Sequence, residues 1–396
     1  MNPSNSAANL PDELILQIFR NKHLSPCDLA RCSLLSRRFV DSARKWLYET
    51  VNLGIFHGSA HHEEGQEPIF PDPEFTLASW KLMRTLTDSP EIASYVREIV
   101  LGGGITPQEP RLTIKTTARL ALENILRLTP KTKKLKFGRS WSFGLNELEI
   151  IRNYQNLEEL SVLVLREEAI DILGEHLPHL TFLQAVQVAP RPASEKRFKS
   201  LRTFETSCPH PEILPSFIIP SCTTLRKLRL PLQTAALVDF SQLPALHTFI
   251  LQLHDPSGVT ARTPRFVAAG ESKAFWTALA RSPSLRTLVL DSPRHSDHFE
   301  AALFGTSDGR RSGTGSGGPT ESIPSLRTLE FQDDFLLDRA NSLLASPLSK
   351  TLIRLVVPAA PINPEDSSFH AGQVRAVVGM CEAKGIEVVL IDRGAW

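Results

Sequence analysis

Few residues in this sequence have types and spacings that chemistry can use. His57, His61, His62 and Glu63 stand together in GIFHGSAHHEEGQEPIFPDP, and imidazole and carboxylate groups are metal ligands. A metal site needs a fixed scaffold and supporting hydrogen bonds around its ligands. A stretch so polar and rich in turn residues offers neither, so solvated loop histidines are expected. Cys27 and Cys32 are five apart on helical sequence, with no second ligand pair at zinc spacing. Gly102-Gly103-Gly104 follows an apolar run but lacks the spacing and the Lys-Ser/Thr of a phosphate cradle. There is no G-x-S-x-G, no P-loop and no H-E-x-x-H. Two basic spots remain: Lys133-Lys134-Leu135-Lys136 with Arg139 nearby, and Arg226-Lys227-Leu228-Arg229. Such groups can together receive an acidic or phosphorylated segment. The plain alternative is a solvated strand face that resists edge pairing. No catalytic, cofactor-binding or metal-binding residue is assigned, and the expectation is a binding protein rather than an enzyme.

Composition agrees. The chain has 396 residues, 41% hydrophobic and 22% charged, with a formal net charge of +1. That balance is globular, allows one or two domains, and gives no general pull toward nucleic acid or anionic membrane. Five cysteines without framework spacing point to reduced thiols. The first residues, MNPSNSAAN, lack the apolar core of a secretory signal, and no apolar run is long enough for a bilayer. Cytoplasm or nucleus is the expected location.

The basic spots sit in a repeating pattern. NLEELSV, HLTFLQA, SLRTFET, TLRKLRL, ALHTFIL, SLRTLVL, SLRTLEF and TLIRLVV share a leading leucine, then apolar residues at the fourth and (mostly) sixth positions. The leading residues are Leu157, Leu180, Leu201, Leu225, Leu246, Leu285, Leu326 and Leu352, separated by 23, 21, 24, 21, 39, 41 and 26 residues on subtraction. Weaker copies lie at Tyr95 to Leu101 and Lys131 to Phe137. Alternation over the fourth and sixth positions predicts a half-buried strand. Pro178, Pro244, Pro283 and Pro324 end the return segments two residues before the leading leucine. One such unit cannot bury its apolar side, whereas stacked neighbours can. The pattern resembles a degenerate leucine-rich repeat. It departs at the ninth position, where Asn or Cys is usual: here stand Leu165, Val188, Pro209, Gln233, His254, Pro293, Asp334 and Ala360. Without an asparagine ladder, an irregular and shallower arc is expected. Positions three and five should face outward, which makes Lys134, Lys136, Glu159, Phe182, Glu205, Lys227, Arg229, Glu330 and Arg354 the candidate substrate surface.

Upstream, capping signals divide the sequence into helices. Pro11-Asp12-Glu13 suits a helix start, with Leu14, Ile15, Ile18 and Phe19 on one face, so a helix is expected from about Pro11 to Arg20. Ser25-Pro26 restarts the chain as N-cap and first helical residue, followed by Leu29, Cys32 and Leu35. A third helix from about Ser36 carries Phe39, Val40, Ala43, Trp46 and Leu47. So short a bundle buries little by itself, and its spare apolar faces suggest docking. Leu10-Pro11, Glu13-Leu14, Ile18-Phe19, Leu29, Cys32, Leu35-Ser36-Arg37-Arg38-Phe39 and Trp46-Leu47-Tyr48 resemble an F-box, with Phe39 where the family often has Trp. The resemblance implies docking on the Skp-family adaptor of a cullin–RING ubiquitin ligase, with this chain selecting a protein substrate. It further implies that Leu10, Pro11, Leu14, Ile15, Ile18, Phe19, Leu29 and Leu35 supply the adaptor contact. The rival reading is a ubiquitin-independent leucine-rich-repeat scaffold whose helices cap the repeats.

The expected fold class is therefore α/β: an N-terminal three-helix F-box, then an irregular leucine-rich-repeat solenoid with a parallel sheet. The expected divisions are a disordered 1–8, the F-box at 9–53, a linker or loop at 54–74, and a repeat domain at 75–396 with a flexible Gly/Ser-rich insertion at 305–322.

Overall fold

The first full helix of this chain starts at a capping serine, Ser25. The computed structural model describes residues 11, 14, 17, 24–35, 37–54, 73–102, 123–137, 142–143, 148–149, 151, 154, 156–188, 198–208, 217–252, 269–291, 322–332, 344, 346–359 and 367–391. The chain divides into two compact units, Met1–Leu163 and Val164–Trp396.

The first unit contains α1 (Pro26–Leu35) and α2 (Arg37–Glu49). Ser25 caps α1 reciprocally. Asp28 N–H donates to Ser25 Oγ at 3.2 Å, while Ser25 N–H and Oγ–H donate to Asp28 Oδ2 at 3.0 and 2.7 Å. This is a capping box with Asp in place of Glu. The hydroxyl bond first, and the backbone bond next, hold the Asp28 carboxyl below the ordinary aspartate range. A carboxyl lowered by folding stabilises the fold fully above its unfolded value, and that contribution disappears as pH falls through the lowered one. NMR titration of the full chain should find Asp28 below ordinary aspartates, and Ser25→Ala should return it toward them. An Asp28 titrating like a free aspartate in the wild type would contradict the box.

Of the helix expected over Pro11 to Arg20, only residues 11, 14 and 17 are described. Leu14 and Gln17 are helical, and Leu14 N–H donates to Pro11 O at 3.1 Å. The N-terminal tip, the histidine stretch, Arg139 and the Gly/Ser-rich insertion over 305–321 lie outside the described residues.

From α2 the chain passes directly into β1 (Thr50–Gly54), which the apolar Val51 and Leu53 anchor in the core. α3 (Pro73–Asp88) and the short α4 (Pro90–Ala93) lead to β2 (Glu98–Gly102). β3 (Lys134–Phe137), β4 (Ser142–Phe143) and β5 (Glu159–Leu165) follow. β1 pairs with β2, β2 with β3 and β3 with β5, all parallel, while β4 pairs beside β5. The two weaker upstream copies of the repeat are thus strands β2 and β3.

In the second unit α5 (Glu167–His176) precedes β6 (Phe182–Val188), β7 (Thr203–Thr206) and β8 (Lys227–Pro231). β9 (Thr248–Gln252), β10 (Thr287–Asp291), β11 (Thr328–Phe331), β12 (Arg354–Pro358) and β13 (Glu387–Ile391) complete the strands. They lie side by side in sequence order, all parallel. Parallel neighbours need a crossover between them, and the returns supply it. The longest described returns are α6 (Ala269–Ala280) between β9 and β10, and α7 (Ser367–Ala383) between β12 and β13. The first turn of α6 contains the weak helix formers Gly270 and Ser272. α7 ends in a Schellman motif: Gly385 takes a φ of 69°, its N–H donates to Glu382 O, and Ile386 N–H donates to Cys381 O.

Register explains the repeat. Phe182, Thr203, Lys227, Thr248, Thr287, Thr328, Arg354 and Glu387 align as position three. The leading leucines are all buried, and so are the fourth and sixth positions, from Leu183 and Ala185 to Leu355 and Val357. Rings fill the wider gaps. Phe204 stacks on Phe217 at 4.7 Å, and Phe240 meets Phe249 edge-on at 5.0 Å.

A hydroxyl ladder does the stitching that a ninth-position asparagine would do. The residue before each leading leucine is usually Ser or Thr. Ser200 Oγ donates to Pro178 O at 2.6 Å, Ser284 Oγ to Leu246 O at 2.9 Å, and Thr351 Oγ1 to Ile323 O at 3.0 Å. Thr224 Oγ1 shares its proton among Leu201 O, Lys199 O and Ser221 O at 2.9, 3.1 and 3.2 Å. Apart from the local one to Ser221 O, each bond ties one repeat to the one before. Thr224→Val keeps the shape and removes the donor, so it should cost about 1 kcal/mol in denaturant unfolding, while Thr224→Ser should stay near wild type. Equal losses in both variants would refute the ladder.

Candidate functional site: an N-terminal helical pair and a charged strand face

The helical pair has a small core of its own. Leu29 and Ala43 are buried, and Leu24, Cys32, Phe39, Trp46 and Leu47 pack against them. Leu29, on the expected adaptor face, therefore packs inward and holds α1 to α2. Pro11 is exposed and Leu14 is 43% exposed. Leu10, Ile15, Ile18 and Phe19 lie outside the described residues, as does the side chain of Leu35. The sequence reading missed Leu34, which is 85% exposed on α1. Its signal was available: Leu34 falls off the Leu29–Cys32 face that the spacing assigns to the core. An apolar side chain left in water marks a surface that gains by being covered.

On the strand face of the first unit, the basic spot is answered by acids on neighbouring strands. Lys134 Nζ stands 2.7 Å from Glu159 Oε1, and Lys136 Nζ stands 2.6 Å from Glu98 Oε1. Lys133 pairs with Glu158. The hydrogen bond to Glu159, with the Glu159, Glu98 and Glu158 charges, holds the Lys134 ammonium above the ordinary lysine range.

The second unit repeats this arrangement more deeply. Glu205 is only 6% exposed. Its Oε1 receives Lys227 Nζ at 2.7 Å and its Oε2 faces Arg229 Nη1 at 3.8 Å and Gln184 Nε2 at 3.4 Å. Arg229 also pairs with Asp291 through Nη2. With its amide oxygen turned to Arg229, the buried Gln252 accepts from Arg229 Nε at 2.8 Å. Farther along, Arg354 Nε meets Glu387 Oε2 at 2.8 Å on an exposed pair. Phe182 and Glu330 are half-buried on the same face.

Two expectations change here. The basic residues at positions three and five do not stand open for an acidic segment, because each has an acid of this chain beside it. Nor is position five uniformly outward and accessible: Glu205, Ile250, Val289 and Val356 are all buried. Parallel strands only about 4.8 Å apart leave little room between side chains of one row, and Ile250 stands in register between Arg229 and Val289. The acids Glu98, Glu158, Asp291 and Glu387 and the amide Gln252 are partners on the strand face that the sequence analysis does not include.

Comparison with known proteins bears on the helical pair. Residues 7–53 match the F-box-like family. The F-box-like region includes α1, α2 and all of β1 but Gly54, with the Leu29–Ala43 core inside it. No curated protein matches the chain. Among solved structures, a crystal structure of a Bacteroides fragilis protein is similar at 12% identity and a TM-score of 0.32, covering 78% of this chain and 68% of that one. Among the described residues, no helix is long and apolar enough to cross a membrane.

Proposed function

We propose that this chain is the substrate-recognition subunit of a Skp–cullin–F-box ubiquitin ligase. The F-box-like domain docks on a Skp-family adaptor, and a leucine-rich-repeat solenoid formed by the repeated strands binds a protein substrate. The observation that carries the reading is the family match over residues 7–53. The exposure of Leu14 supports docking rather than capping, because a capping helix would spend that side chain on its own chain. Leu10, Pro11, Leu14, Ile15, Ile18, Phe19 and Leu35 form the adaptor contact, with Leu29 holding the helical pair beneath it.

The chain itself does no bond chemistry in this reading. It holds a lysine-bearing protein beside a charged conjugating enzyme, and proximity supplies the rate gain. Its place of work is the cytoplasm or nucleus. The strand face, with Phe182 and Glu330 among its half-buried positions, is the substrate side. Mixed with purified Skp-family adaptor, the chain should co-elute as a one-to-one complex on gel filtration. Separate elution of two folded proteins would refute the proposal.

A further inference from the structure

A row of basic residues runs along the edge of the strand face in the second unit. Arg202, Arg226, His247, Arg286 and Arg327 each stand just before position three on consecutive strands β7 to β11. Their backbones form a ladder. Arg226 N–H donates to Arg202 O at 2.7 Å, and His247 to Arg226, Arg286 to His247 and Arg327 to Arg286 each at 2.9 Å. At a strand spacing of about 4.8 Å, this roots five residues along a line of about 19 Å.

All four arginines are exposed, and His247 is half-buried. Among the described residues none of the four arginines joins an ion pair. Arg327 Nη1 donates to Pro324 O and Leu326 O at 2.9 and 3.0 Å, leaving its other donors open. The contrast with positions three and five is the informative point. There Lys227, Arg229 and Arg354 each have an acid of this chain beside them. Here, among the described residues, basic side chains stand next to one another with no acid beside them, an arrangement that costs the fold. Lys199, just outside the row, is exposed as well.

We propose that this row binds the carboxylates of an extended Asp/Glu-rich segment of a partner protein. Guanidinium groups match carboxylates as two-pronged donors. Alternate side chains of an extended segment recur about every 6–7 Å, within reach of long arginine side chains rooted slightly closer together. A nucleic acid fits less well. The chain's formal net charge is +1, and nucleic-acid domains are strongly basic. Among the described residues, the positions beside the row hold Ser, Thr, Ala, Pro and Lys, and the half-buried Phe182 at its β6 end is too little aromatic surface to stack successive bases. The proposal goes beyond the adaptor reading and holds whether or not the helical pair docks an adaptor.

The test is fluorescence anisotropy of the full chain with a labelled peptide of alternating Glu and Gly at low salt. The wild type should bind it, and Arg202→Gln/Arg226→Gln/Arg286→Gln should weaken binding by at least about tenfold. Arg31→Gln/Lys45→Gln/Arg84→Gln removes equal charge elsewhere and should bind as wild type. If the row triple melts early by circular dichroism, Arg226→Glu alone carries the same expectation. Absent binding by the wild type, or equal binding by the row variants, would overturn the proposal. So would tighter binding of a single-stranded oligonucleotide or of the same peptide with phosphoserine for glutamate. Adaptor co-elution of the same variants separates this outcome from a failure of the adaptor reading.

Discussion

Phe204→Ala should cost the second unit about 3–5 kcal/mol, the range for removing a fully buried aromatic ring. Phe204 is 0% exposed at the fourth position of β7. Its ring lies 4.7 Å from Phe217, nearly parallel to it at 9°, and Phe217 lies 4.9 Å from Phe198. Truncation takes the ring of β7 away from Phe217, and the fixed strand register prevents collapse into the space. Phe198 adds a reason for rigidity. It holds a φ of 62°, a left-handed conformation that a non-glycine residue adopts at a cost of about 1–2 kcal/mol. Its packing against Phe217 offsets that cost. The thermal midpoint should fall by about 6–20 °C. Phe182→Ala, half-buried at position three, serves as the comparison and should cost much less. Similar losses in both would contradict the inward and outward assignment of the repeat.

Glu205→Ala should cost about 1–3 kcal/mol. Removing one member of a buried ion pair costs about 3–5 kcal/mol when its partner is stranded, but these partners are not wholly stranded. The Lys227 side chain is 41% exposed and recovers water, and Arg229 keeps Asp291 and Gln252. Arg354→Ala breaks a pair whose two side chains are 51% and 55% exposed, and should cost less than about 1 kcal/mol. Salt separates the two cases. Denaturant unfolding in high salt should erase the Arg354 effect and leave most of the Glu205 effect, since buried pairs are screened far less. A Glu205 effect that vanished in salt would mean that the network is a surface feature after all.

Much of this architecture was legible because its signals are local. Ser25-Pro26 announces α1, and the alternation around each leading leucine announces its strand. What was not legible depends on which strand lies next to which. Lys134 and Glu159 hold the same position in adjacent repeats, and so do Arg354 and Glu387, yet their pairing follows only once the strands are known to be parallel and in order. Lys227 with Glu205, and Lys136 with Glu98, pair diagonally between positions three and five. A repeat read one copy at a time records basic spots; read across copies it records neutral pairs. The hydroxyl ladder was concealed for a related reason. The repeat pattern points to the ninth position, whereas the stitching residues Ser200, Thr224, Ser284 and Thr351 precede the first. In the helical region, spacing identifies the apolar face that holds Leu29 and does not say what covers it. Here Ala43 and its neighbours cover it.

Adaptor binding is the most direct measurement of the central claim. Isothermal titration of purified Skp-family adaptor into the full chain should give one-to-one binding for the wild type. Leu14→Asp/Ile18→Asp should lose it, because a carboxylate buried in an apolar contact without a partner costs several kcal/mol. Its circular dichroism and thermal midpoint should match the wild type, as expected for an exposed Leu14. No heat of binding from a folded wild type, or equal affinity in the double variant, would contradict the account.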